Sequence, residues 1–142
     1  MIIDANLLIY AYVVTLDDHR AAREWLVETL SSPDRSVWLP RASIHAFLRL
    51  TTKQKLFDDP FSAEEAVRVV DSWLERPNVK VLDPGPGHWL ILRDLLLRHD
   101  IRGDLIMDAH IAALAIEHDT TIYTADRDFH RFGELRVVNP LR

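Results

Sequence analysis

Ile106-Met107-Asp108-Ala109-His110-Ile111-Ala112-Ala113-Leu114-Ala115-Ile116-Glu117, followed closely by Thr121-Ile122-Tyr123-Thr124, reads as a helix feeding a short β-strand. The helix is apolar almost all round, so it must be covered on nearly every side. So short an apolar strand belongs inside a sheet rather than on its own. One acid, Asp108, interrupts the apolar surface. Its i+3, i+4 and i+7 neighbours are Ile111, Ala112 and Ala115, which set it on an apolar stripe.

The same alternation extends in both directions. Upstream, Val79-Lys80-Val81-Leu82 is a strand, Asp83-Pro84-Gly85-Pro86-Gly87 a turn, and His88 to Arg98 a leucine-rich helix. Ser62-Ala63-Glu64-Glu65 has the form of a capping box for a helix to about Arg76. Before it, Ser36-Val37-Trp38-Leu39 is a strand stopped by Pro40. A helix from Arg41 to Lys55 follows, turning Ile44, Phe47, Leu48 and Leu50 inward, and Asp58-Asp59-Pro60 breaks the chain. At the amino terminus Met1-Ile2-Ile3 is a buried strand, and Asn6 offers an N-cap for a helix over Leu7 to Val14. Asp17 and Asp18 open another helix to about Thr29, with Ala22, Trp25, Leu26 and Leu30 on one face. Leu135-Arg136-Val137-Val138 is a fifth strand, ended by Asn139-Pro140. Short apolar strands alternating with helices imply an α/β fold whose parallel sheet is covered on both faces. With no repeat and no linker, residues 1–142 read as a single domain.

Composition narrows the chemistry. A formal charge of −5 argues against a protein that coats nucleic acid by bulk attraction, but leaves room for a local basic strip beside an acidic centre. The absence of cysteine excludes disulfides and thiolate metal sites. No apolar run reaches the length of a membrane span, and Met1-Ile2-Ile3-Asp4 lacks the features of a signal peptide, so a cytoplasmic protein is expected.

In a parallel sheet covered on both faces, function collects beyond the carboxyl ends of the strands. Asp4 directly follows the first strand, Asp126 comes two residues after the fourth, and Asp108 sits in the first turn of the helix leading to the fourth. If strands one and four are neighbours, the three carboxylates converge. Asp4 can also end a strand and Asp126 can cap the turn through Arg127-Asp128-Phe129. Asp108 is harder to explain locally, because no lysine or arginine lies within a helical turn of it, and a buried carboxylate needs a partner. A hard divalent cation, Mg²⁺ or Mn²⁺, suits carboxylate ligands with no histidine pair at zinc spacing. Such a centre suits phosphoryl chemistry. His110 and His118 read as packing or surface groups.

Met1-Ile2-Ile3-Asp4-Ala5-Asn6-Leu7-Leu8-Ile9-Tyr10, Asp108-Ala109-His110-Ile111-Ala112-Ala113-Leu114-Ala115 and Thr124-Ala125-Asp126-Arg127-Asp128-Phe129 together resemble the PIN domain. More narrowly, they resemble the VapC toxins of toxin–antitoxin modules. The resemblance covers essentially the whole chain. It implies a three-layer PIN-like fold, a five-stranded parallel sheet in the order 3-2-1-4-5 with helices on both faces. It also implies a Mg²⁺-dependent endoribonuclease that forms a homodimer and is neutralised by a cognate antitoxin. Asp4, Asp108 and Asp126 match the family's metal-binding acids, Asn6 the polar residue supporting the first, and Thr124 the polar neighbour before the last.

One departure stands out. The family usually carries a glutamate on the helix after strand two, but Ser43-Ile44-His45-Ala46-Phe47-Leu48-Arg49-Leu50 holds no acid, and the match near Phe47 is apolar. Asp128 or Asp104 could supply the missing charge, although Asp104 also reads as the N-cap of the buried helix. Arg41, Arg49, Lys53 and Lys55 form a candidate RNA-contacting strip or simply a solvated helix face, with Arg127 and Arg131 the next candidates. Two rival readings remain at this stage. One is a catalytically inactive PIN-type RNA- or protein-binding module. The other is an aspartate phosphoacceptor domain, for which Asp83 would have to follow a central strand. Tyr10, Tyr12, Trp25 and Leu26 offer apolar surface near the amino terminus, with Trp25 and Leu26 expected in the core.

Overall fold

The computed structural model describes residues 1–53 and 59–142. Its strands are β1 (Ile2–Ile3), β2 (Val37–Pro40), β3 (Val79–Leu82), β4 (Ile122–Tyr123) and β5 (Val137–Val138). Its helices are α1 (Ala5–Tyr10), α2 (His19–Ser31), α3 (Arg41–Thr51), α4 (Ala63–Leu74), α5 (His88–Arg98) and α6 (Leu105–Glu117), with a 3-10 helix over Arg127–Phe132. The strands pair in the order β3-β2-β1-β4-β5. All pairings are parallel, with Ile2 opposite Trp38 on one side and Ile122 on the other.

β1 is central, and its two residues divide the core. Successive strand residues face opposite sides of a sheet. Ile3 accordingly joins Leu7, Leu8, Leu26, Phe47 and Trp73 beneath α1 to α4. Ile2 joins Leu95, Ala109, Ala112, Ala113 and Leu114 beneath α5 and α6. The small residues of α6 let that helix lie close to the sheet, with the run Ile111 to Ala115 buried throughout. Its amino-terminal end emerges, for Ile106 and Met107 are exposed. The helix is therefore buried along its length but open at the end that carries Asp108. No helix among the described residues is long and apolar enough to cross a membrane.

Several local expectations hold. Ser62 and Glu65 form the reciprocal capping box of α4. α5 and β3 occupy the predicted spans, and Leu26 is buried while Trp25 stacks on Tyr123. Others need correction. α1 ends at Tyr10, well before Val14, and Asp4 rather than Asn6 is its N-cap, accepting from the amide of Ala5. α3 ends at Thr51, short of Lys55. There Thr51 and Thr52 donate their hydroxyls to the carbonyls of Phe47 and Leu48, a side-chain bond that accompanies helix ends. Lys55 and Asp58, named above in the helix and the break, lie outside the described residues.

Candidate metal centre

The neighbouring positions of β1 and β4 set the first contact. The backbone amide of Asp4 donates to the carbonyl of Tyr123, so the chain leaves both strands at one level. Thr124, buried just past β4, then becomes a hub. Its hydroxyl donates to Asp4 Oδ2 at 2.8 Å and accepts from Asn6 Nδ2 at 3.1 Å and from the backbone amide of Asp126 at 3.0 Å. Asn6 closes the network by accepting the amide of Ala125 at 3.3 Å. Asn6 and Thr124 thus brace the two loops that carry Asp4 and Asp126. The sequence placed both residues beside the acids by resemblance; the bonds between them supply the physical reason.

Asp126 caps the 3-10 helix as its local sequence suggested, Oδ1 accepting the amide of Asp128 at 2.8 Å. That cap turns Asp128 toward α6. Carboxylate oxygens of Asp108, Asp126 and Asp128 all lie within 4.8 Å of one another. An octahedral shell about 2.1 Å in radius separates its ligand oxygens by roughly 3.0–4.2 Å, so small rotamer changes would close these three around one ion. The donor set is all oxygen and suits a hard divalent cation. Asp4 is not a member of this tightest group, but it is coupled to it through Thr124 and through charge.

The electrostatics carry the same message. Asp108 has its pKa raised to about 6, first by burial and then by repulsion from Asp126, Asp4 and Asp128, with Arg131 opposing. Asp4 is also raised, chiefly by burial, while the bonds from Thr124 and Ala5 pull the other way and Asp126 adds repulsion. Burial and mutual repulsion together outweigh what Arg131 offsets, and a divalent cation would supply the remaining positive charge. Among the described residues the cation that opposes the shift at Asp108 comes from outside its own helix. Arg131 comes from the 3-10 helix, where its guanidinium donates to Asp128 Oδ1 at 3.2 Å. The signal was present in sequence as an acid and an arginine three residues apart.

A cleft of about 740 Å³ opens beside this centre, lined by Asp4, Asp104 and Asp108 and, from α3, by Ala42, Ser43, His45, Ala46 and Arg49. Asp104 precedes α6 without a side-chain capping bond and stands in this cleft, apart from the tight triad. Of the basic strip, Arg49 lines the cleft. Arg41 instead makes a two-point bond to Asp83 at 2.8 and 3.0 Å. Lys53 is exposed past the end of α3 and is not among the lining residues, and Lys55 lies outside the described residues. His45 was not singled out, although Ala42, His45, Ala46 and Arg49 repeat at helical spacing and mark one face. Phe47, near which the family's glutamate would fall, is fully buried, its ring centroid 4.7 Å from that of Trp73. The phosphoacceptor reading fails on topology: β3 is an edge strand, and Asp83 beyond it is held by Arg41.

Comparison with known proteins agrees with this geometry. The PIN domain profile matches residues 1–135. The chain is 39% identical to ribonuclease VapC37 of Mycobacterium tuberculosis over 141 residues, covering 98% of this chain and 96% of that protein. It is 38% identical to ribonuclease VapC43 of the same organism over 139 residues, covering 98% and 94%. In fold it is similar to VapBC-1 from nontypeable Haemophilus influenzae, with a TM-score of 0.69, 17% identity and coverage of 99% and 98%. It is similar also to VapBC2 from Rickettsia felis, solved bound to a promoter DNA fragment, with a TM-score of 0.67, 18% identity and coverage of 97% and 96%. This chain belongs to the PIN-domain family and, within it, to the VapC group.

Proposed function

We propose that this chain is a VapC-type toxin: a metal-dependent endoribonuclease that cuts RNA phosphodiesters and is restrained by a cognate antitoxin. The observation that carries this reading is the meeting of Asp108, Asp126 and Asp128 oxygens within 4.8 Å beside Asp4, at the carboxyl ends of adjacent strands. The VapC ribonucleases to which the chain is similar and the VapBC assemblies that share its fold support it. Mg²⁺ is the ion proposed, with Mn²⁺ able to replace it, and the protein is taken to act in the cytoplasm as a homodimer of single-domain chains.

Asp4, Asp108 and Asp126 are the residues assigned to hold the cation, with Asp128 as a further carboxylate in place of the family glutamate and Asp104 at the cleft rim. When bound, Mg²⁺ supplies the positive charge that polarises the phosphate and makes an attacking water more acidic. The chain's own residues do the rest. Thr124 and the amide of Ala5 hold the two oxygens of Asp4, and Asn6 braces Thr124, so the carboxylate keeps one orientation. Asp126 fixes Asp128 through its amide, which keeps the negative charge concentrated where phosphate must arrive with a counter-charge. Burial and the neighbouring acids raise the pKa of the Asp108 carboxyl to about 6, so half of it is still protonated near that pH and its charge develops toward neutrality. α3 forms the other side of the cleft.

The test is cleavage of RNA by purified protein with Mg²⁺ and with chelator. Asp4→Asn removes one ligand charge but can keep the bond from Thr124, so it should fold normally and lose cleavage by at least about a thousandfold. Mg²⁺-dependent cleavage at the wild-type rate in Asp4→Asn would count against the assignment. A second reading, the inactive PIN-type binding module, is favoured by one observation: α3 brings no acid to the cleft. A Mg²⁺ titration separates the two, because a dead module should bind the ion weakly and cleave nothing.

A further inference from the structure

The α3 wall of the cleft has no role in the metal chemistry, yet it presents a cation. Ala42, His45, Ala46 and Arg49 recur at helical spacing and line the same cleft as Asp4 and Asp108. Among the described residues the Arg49 guanidinium makes no ion pair and no hydrogen bond. Arg41, at one end of the same helix, is by contrast held by Asp83. Arg49 therefore shares a cleft with Asp4, Asp104 and Asp108 without being neutralised by any of them. Its neighbours keep the space beside it open, since Ala42 and Ala46 are small. Ser43, 2% exposed, also lines the cleft, and its buried hydroxyl has no hydrogen-bond partner.

An acceptor-rich anion fits this wall, and a phosphodiester is the anion the proposed reaction requires. A phosphate approaching three carboxylates is repelled by each of them, even with a cation on the far side. An unpaired guanidinium facing the same space offsets that repulsion and matches two phosphate oxygens with its planar fork. We propose that Arg49 is a substrate-contacting residue that clamps the non-bridging oxygens of the RNA phosphodiester, holding it across the cleft from Asp4 and Asp108. His45, one helical turn earlier on the same stripe, flanks the path of the strand. α3 thus brings a base rather than an acid to the cleft: Phe47 is buried in the core, and the cleft-lining stripe carries Arg49. The inference rests on the nuclease reading for its substrate but not for its readout.

The experiment measures binding of a fluorescein-labelled single-stranded RNA oligonucleotide of randomised sequence by anisotropy, in chelator, across a salt series. Arg49→Gln keeps the stem and removes the charge. It should bind at least about tenfold more weakly, with the log–log salt slope flatter by about 0.7. Arg49→Lys should restore the slope but only part of the affinity, because an ammonium keeps the charge and loses the fork. Mg²⁺ affinity and thermal midpoint should stay at wild-type values in both variants. Wild-type affinity and slope in Arg49→Gln would overturn the proposal. So would an Arg49→Lys protein that loses as much slope as Arg49→Gln, since that marks a structural role. The two readings fail separately: if the wild type binds RNA through Arg49 but cleaves none, the clamp stands and the nuclease reading falls.

Discussion

The two walls of the cleft both rest on helices packed into the core but present opposite charge. The wall built by β1, α6 and the loop after β4 gathers acids, and its buried small residues serve to bring Asp108 within reach of Asp126 and Asp128. The α3 wall packs Ile44 and Phe47 into the core just as firmly, yet turns Ala42, His45, Ala46 and Arg49 to the cleft. Burial and charge are thus set independently, on different stripes of each helix. The absence of an acid on α3 is then matched by a base on the stripe that lines the cleft.

That contrast can be broken most severely at Phe47. Phe47→Glu puts an acid on α3 at a fully buried site packed against the rings of Tyr12 and Trp73, and should cost on the order of 3–5 kcal/mol in urea unfolding. Near-wild-type stability would mean that α3 can rotate to present this position to the cleft. On the acidic wall, Thr124→Val leaves the amides of Asn6 and Asp126 without their acceptor and Asp4 without its donor. It should lower Mg²⁺-dependent cleavage by about ten- to a hundredfold at saturating RNA. An unchanged rate would remove the hub from the account.

Titration gives a subtler test of the same wall. Asp108 has an ordinary unfolded pKa of 3.8 and a folded one of about 6, so between these values the unfolded chain has released a proton that the folded chain still holds. Without metal, stability contributed by the protonated acid is present below 3.8 and lost as pH rises toward 6. Asp108→Asn lacks this loss, so in chelator it should be more stable than wild type above about pH 6, by on the order of 1 kcal/mol after solvent screening of this half-exposed group. The difference should vanish in acid, and Mg²⁺ should reverse it. A pH-independent difference would place the effect elsewhere. The smallest expected effect comes from Ala46→Glu, which puts an acid on the α3 stripe. Mg²⁺ should bind about two- to fivefold tighter by calorimetry, because one more carboxylate faces the ion. RNA binding should weaken as the new acid neutralises Arg49.

Much of the acidic wall was legible in sequence, because its signals are local. A carboxylate on an apolar helical stripe, and acids directly after short strands, announce themselves within a few residues, as Asp108, Asp4 and Asp126 did. The parallel sheet was legible for the same reason. What escaped was set by long-range pairing. Asn6 looked like an N-cap, and only the folded chain reveals a hydrogen-bond partner 118 residues away. Arg131 reaches Asp108 from another element, so a search along α6 could not find it. Arg41 and Arg49 share one helix and one charge, yet Asp83 claims the first and leaves the second in the cleft. The end of α3 was missed because Thr51 and Thr52 close it with side-chain bonds that helical periodicity does not register.

Anomalous diffraction from crystals soaked in Mn²⁺ tests the central claim most directly. A single strong peak about 2.1–2.2 Å from carboxylate oxygens of Asp108 and Asp126, with Asp4 directly or through one water, is the predicted result. A map with no peak there, Asp108 turned away and Asp4 satisfied by Thr124 alone, would contradict it.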